Sequence, residues 1–321
     1  MISVGDGPGL VRTRNINQYT GKCTGAIHCR INASFDGKAG SMGDFISSHE
    51  IVIRSGLFIF VLLCMTVLEI LSPRRTLTVG KTGRWLNNIS LVVLDAVLLR
   101  LIFPAAAAGA ALYCQQQGWG LLPLWQVPPL PALILAVVAL DLAIYLQHVM
   151  FHAIPLLWRL HRVHHADLDI DVTTGLRFHP IEIILSMLFK FAVIGVTGAS
   201  VTAVIIFEVV LNAMSMFSHG NIRLPAAVDR VLRSVVVTPD MHRVHHSIEE
   251  DETNSNFGFN LSVWDRLFGT YRRQPRAGHL DMTIGLSTFR DRRQCVYLPN
   301  LLVMPFIGRV TGYAINRRRW E

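Results

Sequence analysis

Charge is scarce in this sequence. Asp, Glu, Lys and Arg make up only 16% of its 321 residues, whereas 51% are hydrophobic. A water-soluble domain ordinarily has about a quarter of its residues charged, so the deficit excludes an ordinary soluble protein and points to a membrane chain. Cysteine is scarce too. The five, Cys23, Cys29, Cys64, Cys114 and Cys295, are scattered, and two lie in or beside apolar runs, which argues against both a disulfide framework and a Cys-ligated zinc site. The net charge of +8 comes with no basic stripe interleaved with aromatics, so nucleic acid is not the expected partner. Lys and Arg instead cluster between apolar segments, as in the cytoplasmic loops of membrane proteins. A secretory signal and a solenoid-type repeat are absent as well.

What is present is a series of long apolar runs. The first 45 residues are polar and Gly-rich and read as disordered or as an upstream extension, with Met42 a plausible alternative start. Apolar runs then cover 51–71, 89–112 and 127–147, each near the roughly 20 residues a bilayer core demands. A fourth, 181–217, is too long for one span and breaks weakly at "GVTGAS", which predicts a helical hairpin. Arg54 and Glu69 stand near the ends of the first run, where they are expected to snorkel to the interface. The connector 72–84 carries Arg74, Arg75, Lys81 and Arg84, and 113–126 carries no charge, so the first is expected to be cytoplasmic and the second outside. Arg159, Arg162 and Arg177 follow on the cytoplasmic side. The expected fold class is all-α: an integral membrane helical bundle of about four apolar segments, with a helical cytosolic cap. Its expected divisions are 1–45, transmembrane helices over 46–134, a catalytic region over 135–272 that includes the hairpin, and a membrane-surface tail over 273–321 ending in the basic "NRRRW".

The third apolar run leads directly into "HVMFHAIPLLWRLHRVHH". His148 and His152 form H-x-x-x-H; His161, His164 and His165 form H-x-x-H-H; His242, His245 and His246 repeat that pattern. On a helix, positions i, i+3 and i+4 share a face, so each box is expected to aim its imidazoles in one direction. With His219 in "FSHGN", nine imidazoles are enough for two metal ions. Nitrogen-rich ligation suits Fe, Zn, Cu or Ni rather than Mg or Ca, and without thiolates an iron–sulfur cluster is not indicated. A single histidine pair at helical spacing is more often structural than metal-binding; two H-x-x-H-H boxes are much harder to reach by accident. His28, His49 and His279 stand alone in polar contexts and are expected to be solvated.

The order of these boxes, the isolated His219 after a second hydrophobic hairpin, and "NFGFNLSVWDRLFGTY" over 256–271 resemble the fatty acid hydroxylase superfamily, which includes sterol desaturases. The resemblance covers about 135–272. It implies a membrane-bound non-haem diiron oxygenase with His148, His152, His161, His164, His165, His242, His245 and His246 as box ligands and His219 as a further one. It implies two Fe ions, with Zn an acceptable substitute in purified protein, and O2 as co-substrate. It also implies a membrane lipid as substrate and a separate electron donor of ferredoxin or cytochrome type with its reductase. His179 in "GLRFHPIE" stands where many members have His-Pro and reads as a supporting or structural residue. Ser215 occupies the position four before His219 where some members have histidine, leaving one coordination position to water, to Asn212 or to nothing.

Neutral imidazoles hold iron without oxidisable sulfur, and each needs an acceptor on its other nitrogen to set its tautomer. Asp141 is two turns before His148 on the same face and within an apolar helix, where a carboxylate is costly, so it is a candidate acceptor. Asp167, Asp240 and Asp265 are others. Tyr145 either lines the site or packs in the core. Trp264, Phe268 and Tyr271 at i, i+4 and i+7 suggest an aromatic stripe on a helix. The resulting expectation is a multi-pass membrane oxidoreductase of a bacterial inner membrane or endoplasmic reticulum, its boxes on the cytoplasmic side. It would use O2 to hydroxylate or desaturate a sterol, fatty acyl or related lipid. A metal transporter or storage protein without oxygenase activity is the alternative, although transporters place ligands at the bilayer midplane. A catalytically dead scaffold is disfavoured because no box position is substituted.

Overall fold

The computed structural model describes residues 49–310 and Tyr313. The expectations for 1–45 and for "NRRRW" lie outside these residues. The described chain is helical, with isolated bridges such as Pro73–Ile222 in place of any strand among the described residues. Eight helices build the frame: α1 (Glu50–Leu71), α2 (Lys81–Ile102), α3 (Ala106–Gln117), α4 (Pro129–Ala153), α5 (Pro155–His165), α6 (Pro180–Thr197), α7 (Val201–His219) and α8 (Pro239–His245). Short helices of three to seven residues fill the connections. Proline opens α4, α5, α6 and α8, where its missing N–H would be unbonded anyway and its φ suits the first turn.

Five segments are long and apolar enough to cross a membrane: Glu50–Leu71, Lys81–Leu124, Pro129–Ala153, Pro180–Thr197 and Val201–His219. The expected hairpin is α6 and α7, which part at Gly198 (φ +70°) and restart at Ser200, whose side chain accepts from the Ala203 N–H. A β-carbon on Gly198 would lie 2.5 Å from the Trp119 carbonyl oxygen, so the end of the hairpin farthest from the histidines closes around glycine. The second apolar run does not form the single span expected over 89–112. Its helix starts earlier, at Lys81, and breaks at Phe103 (ψ 72°) before resuming as α3. Pro104 accounts for the break: it disfavours helical geometry in the residue before it and supplies no N–H.

The spanning helices and the cap have opposite solvation. Helix α1 buries only Met65 and Glu69, while Val52 and Leu71 are more than two-thirds exposed. A continuous exposed apolar face of this kind matches hydrocarbon rather than water. In the cap the buried groups are charged. Arg84, Arg162, Arg177 and Arg243 are each 0–2% exposed, which corrects their reading as free loop charges that set orientation. Arg84 forks onto both oxygens of Asp167 at 2.7 Å and reaches Asp171 at 2.6 Å. Glu69 does not snorkel; it accepts from the Val172 N–H (2.7 Å) and the Asn221 N–H (2.9 Å). Arg54 pairs with Glu50 (2.6 Å) and Glu208 (3.0 Å). Nor is His279 solvated: it is 8% exposed, 3.7 Å from Asp240.

The connection from α5 to α6 is the tie between these regions. Asp167, Asp169, Asp171, Thr173 and Thr174 are wholly buried and their oxygens are spoken for by Arg84, by the Thr78 and Val79 N–H groups and by Asn88. The C-terminal stretch is likewise not a detached tail. Leu301, Met304 and Tyr313 join Trp158 and Val163 of α5 in one apolar cluster, and Arg162 donates to the Met304 and Ile307 carbonyls.

Candidate metal centre

The sequence places a sharp turn between the first two boxes. Helix α4 cannot run on through Pro155, so the chain turns at Ile154 (ψ 116°) and α5 starts immediately. His148 and His161, thirteen residues apart, then meet with their Nε2 atoms 3.0 Å apart; His152 and His165, also thirteen apart, meet at 3.1 Å. His245 of α8 brings its Nε2 to 3.1 Å from that of His148. These five imidazoles form one group, and His164, His219, His242 and His246 form a second; within each, one nitrogen per ring lies within 4.8 Å of all the others. All nine rings are buried. The nine sequence candidates are thus all brought together, but each H-x-x-H-H box is divided. His161 and His165 point to the first group and His164 to the second, while His242 and His246 point to the second and His245 to the first. Adjacent residues on a helix diverge by about 100°, so a box straddles two centres instead of facing one.

Outer hydrogen bonds set the tautomers. Nδ1 of His148 donates to the Phe257 carbonyl (2.7 Å), His245 to that of Ser255 (2.7 Å), His219 to that of Ser215 (2.7 Å) and His164 to that of Arg177 (3.2 Å). His161 donates to Glu182 Oε1 at 2.6 Å and His152 to Asn254 Oδ1 at 3.1 Å. Each of these neutral rings carries its proton outward and turns a bare Nε2 inward. Burial keeps the rings neutral: it lowers His161 to about 3 and pushes His164, His165, His242, His245 and His246 well below their ordinary value. Lone pair therefore faces lone pair in the contacts His148–His161, His148–His245 and His164–His219, at 3.0–3.1 Å. No proton stands between them, and a shared cation is what makes the arrangement favourable. Nitrogens about 2.1 Å from one metal stand about 3.0 Å apart at a right angle and about 3.4 Å apart in a tetrahedron. The observed separations are on the scale of donor atoms that share one ion. His246, fully buried with neither nitrogen bonded to protein, also fits a metal ligand, since an orphaned buried polar atom costs about 1–3 kcal/mol.

The carboxylates expected to orient the rings do other work. Asp141 accepts from Trp264 Nε1 (2.8 Å) and the Leu261 N–H (3.3 Å), anchoring 261–264 to α4. Asp265 accepts from the Phe257 and Gly258 N–H groups (2.7 and 2.9 Å), so it supports His148 only through the Phe257 backbone. Asp240 pairs with Arg74 and Arg243. Asp167 pairs with Arg84; burial alone would raise its carboxyl, but Arg84 and then Arg177 hold it down to about 2. Glu182 is the acceptor the sequence reading missed. It is a lone carboxylate in an apolar helix, the same signal that drew attention to Asp141. His179 joins neither histidine group: it caps α6, accepting from the Ile181 N–H (3.2 Å) and donating to the Leu302 carbonyl (3.2 Å), and so seats the turn that presents Glu182. Tyr145 bonds Thr270 (2.9 Å) and stacks on Phe268, which is packing and not a wall of the site. The predicted aromatic stripe is interrupted, because its helix covers only Val263–Leu267 and Gly269 takes φ +73°. Ser215 bonds the Gly175 carbonyl (2.6 Å). A β-carbon on Gly175 would meet the Ser215 carbonyl oxygen at 2.5 Å and His219 Nδ1 at 3.0 Å, so glycine is required there.

A cavity of about 330 Å³ opens from the first group into the bundle. His148 and His161 form part of its wall, with Phe151, Phe178, Met187, Leu211 and Phe259 among its apolar residues. Along α6 it runs past Glu182, Ser186 and Lys190, so it extends about 12 Å from the His161 contact toward the far end of the helix. Asn212 lines this cavity rather than either histidine group.

A family profile described as fatty acid hydroxylase matches residues 133–270. An ornithine lipid hydroxylase of Rhizobium tropici is 25% identical over 257 residues, covering 77% of this chain and 76% of the relative. An alkylglycerol monooxygenase of Xenopus tropicalis is 28% identical over 158 residues, 48% of this chain and 34% of that protein. A cholesterol 25-hydroxylase of Rattus norvegicus is 26% identical over 143 residues, 44% of this chain and 46% of the relative. The chain thus spans about three quarters of the first relative and less than half of the other two. No solved structure matches it.

Proposed function

Because residues 133–270 are a fatty acid hydroxylase domain, we propose that this chain is an O2-dependent diiron lipid hydroxylase of a membrane. The observation that carries the reading is the pair of imidazole groups with bare Nε2 atoms facing inward, one of them forming the wall of an apolar cavity within the spanning helices. An all-imidazole donor set suits a transition metal such as iron rather than Mg or Ca. His148, His152, His161, His165 and His245 would hold one ion, and His164, His219, His242 and His246 the other. When bound, the two irons supply the oxidant that unactivated C–H bonds require and that side chains cannot provide.

The chain's own residues do the rest. The outward Nδ1 bonds orient the rings and keep each inner nitrogen free of protons. Phe151, Phe178, Met187 and Phe259 exclude water from the cavity and match an alkyl chain. Hydroxylation, rather than desaturation, is favoured by the relatives, which are named as hydroxylases and monooxygenases. Its stoichiometry consumes one O2, two electrons and two protons for each hydroxyl formed. A separate ferredoxin or cytochrome-type donor with its reductase would supply the electrons, on the cytoplasmic side that this reading gives the cap.

The test is metal content and oxygen transfer together. Protein purified under iron-replete conditions should hold about two irons per chain and, with a chemical reductant and isotopically labelled O2, transfer label into a lipid of a total membrane extract. A folded chain that binds no metal sinks the reading.

A further inference from the structure

Two carboxyl groups in the cavity each have an oxygen without a partner. Asp95 of α2 and Glu182 of α6 both line it, and the two residues are 7% and 4% exposed. Asp95 Oδ1 and Glu182 Oε2 have no hydrogen-bond partner among the described residues, although Glu182 Oε1 accepts from His161. Helices α2 and α6, which carry them, are packed together. The cationic groups on the same wall are not available to them. Lys190 and Arg54 both bind Glu208, and Arg54 also binds Glu50. Among the other polar residues of the wall, Ser186 donates to Gln147 Oε1 (3.4 Å) and Ser215 to the Gly175 carbonyl (2.6 Å), while Asn212 completes the lining. A buried acceptor left without a donor is unfavourable, so the cavity offers two unpartnered carboxyl oxygens, one of them on the residue that holds His161.

We propose that Asp95 and Glu182 receive the hydrogen-bond-donating polar end of the lipid substrate, a protonated amine in preference to a hydroxyl, and reject a carboxylate. This deepens the reading of the cavity as the lipid's binding site and names its substrate class. Because Glu182 also holds His161, the polar end sits beside the first histidine group, and the alkyl chain occupies the apolar part of the cavity lined by Leu99, Met187 and Leu211. The carbon presented for oxidation is therefore near the polar end, not at the chain terminus.

The experiment uses full-length protein in nanodiscs of neutral lipid, anaerobic and without reductant, so that it does not depend on turnover. Equilibrium binding is measured for hexadecylamine, hexadecanol and hexadecanoic acid. The amine should bind at least about tenfold more tightly than the acid, the scale of one hydrogen bond to a charged group, with the alcohol between. Asp95→Asn should erase that preference while leaving metal content unchanged. Leu99→Lys is the second variant: its ammonium, one turn along α2 from Asp95, reaches that carboxyl within the chain and should exclude the amine without removing an acceptor. Equal binding of the three probes by the wild-type protein overturns the proposal, as does an amine preference that survives in a folded Asp95→Asn or Leu99→Lys chain. Metal-free wild-type protein with the amine preference intact would instead count against the diiron reading and leave this one standing.

Discussion

The two imidazole groups are made of the same side chain and differ in what lies beyond it. The first has five rings, an anionic acceptor in Glu182, and two members, His148 and His161, on the wall of the apolar cavity. The second has four rings, carbonyl acceptors for His164 and His219, and no member on that wall. Its His246 has neither nitrogen bonded to protein. Ligand type alone therefore does not separate the two centres. Access and outer-nitrogen chemistry do, and under the proposed function they make the first centre the one that would meet substrate.

The largest expected effect comes from removing ligands. His242→Ala leaves three imidazoles in the second group, and His161→Ala leaves four in the first. Both should lower lipid oxidation by more than about a hundredfold, but at saturating iron only His242→Ala should fall to about one metal per chain. Metal analysis beside turnover checks this, and loss of both ions in both variants would break the comparison.

Next is Arg84→Met, which leaves Asp167 and Asp171 buried without their main partner. Breaking such a pair costs about 3–5 kcal/mol, read as a drop in unfolding midpoint. Because the same connection ends at Arg177, whose carbonyl orients His164, the second centre should lose metal before the first. The pH dependence sharpens it. Asp167 has a folded value of about 2 against 3.8 for the free group, so its contribution is complete above 3.8 and disappears as pH falls towards 2. The gap between variant and wild type should narrow over that window; a constant gap would assign the loss to packing.

The smallest effect separates acceptors within the first group. Glu182→Gln should weaken metal binding there by about 10–100-fold, and Asn254→Ala, which removes the neutral acceptor of His152, by less than tenfold. Equal losses would show that the charge of Glu182 does not tune the centre.

Much of this was legible before any coordinates, and the reasons can be stated residue by residue. The boxes were visible because helical spacing confines imidazoles to a narrow arc, and the break at "HAIP" because proline ends α4 wherever it falls. The hairpin's ends were marked by Gly198 and Ser200. Asp141 was misjudged because a costly buried carboxylate signals a partner without naming it, and here the partner was Trp264. Arg84 and Arg177 were misjudged because charge counting assumes water; the aspartates that bury Arg84 come from more than eighty residues away, and Asp167 serves Arg177 within one folded connection.

The sequence by itself determined a helical membrane chain, the nine imidazoles and the break within the hairpin, since these follow from hydropathy, local spacing and backbone sterics. Only the tertiary structure decided how each H-x-x-H-H box divides between two centres, which backbone carbonyls and which carboxylate receive the outer protons, and where two unpaired acids face a cavity. Those outcomes depend on contacts between residues far apart in the chain, such as His148 with His245 and His161 with Glu182, and no local rule carries that information.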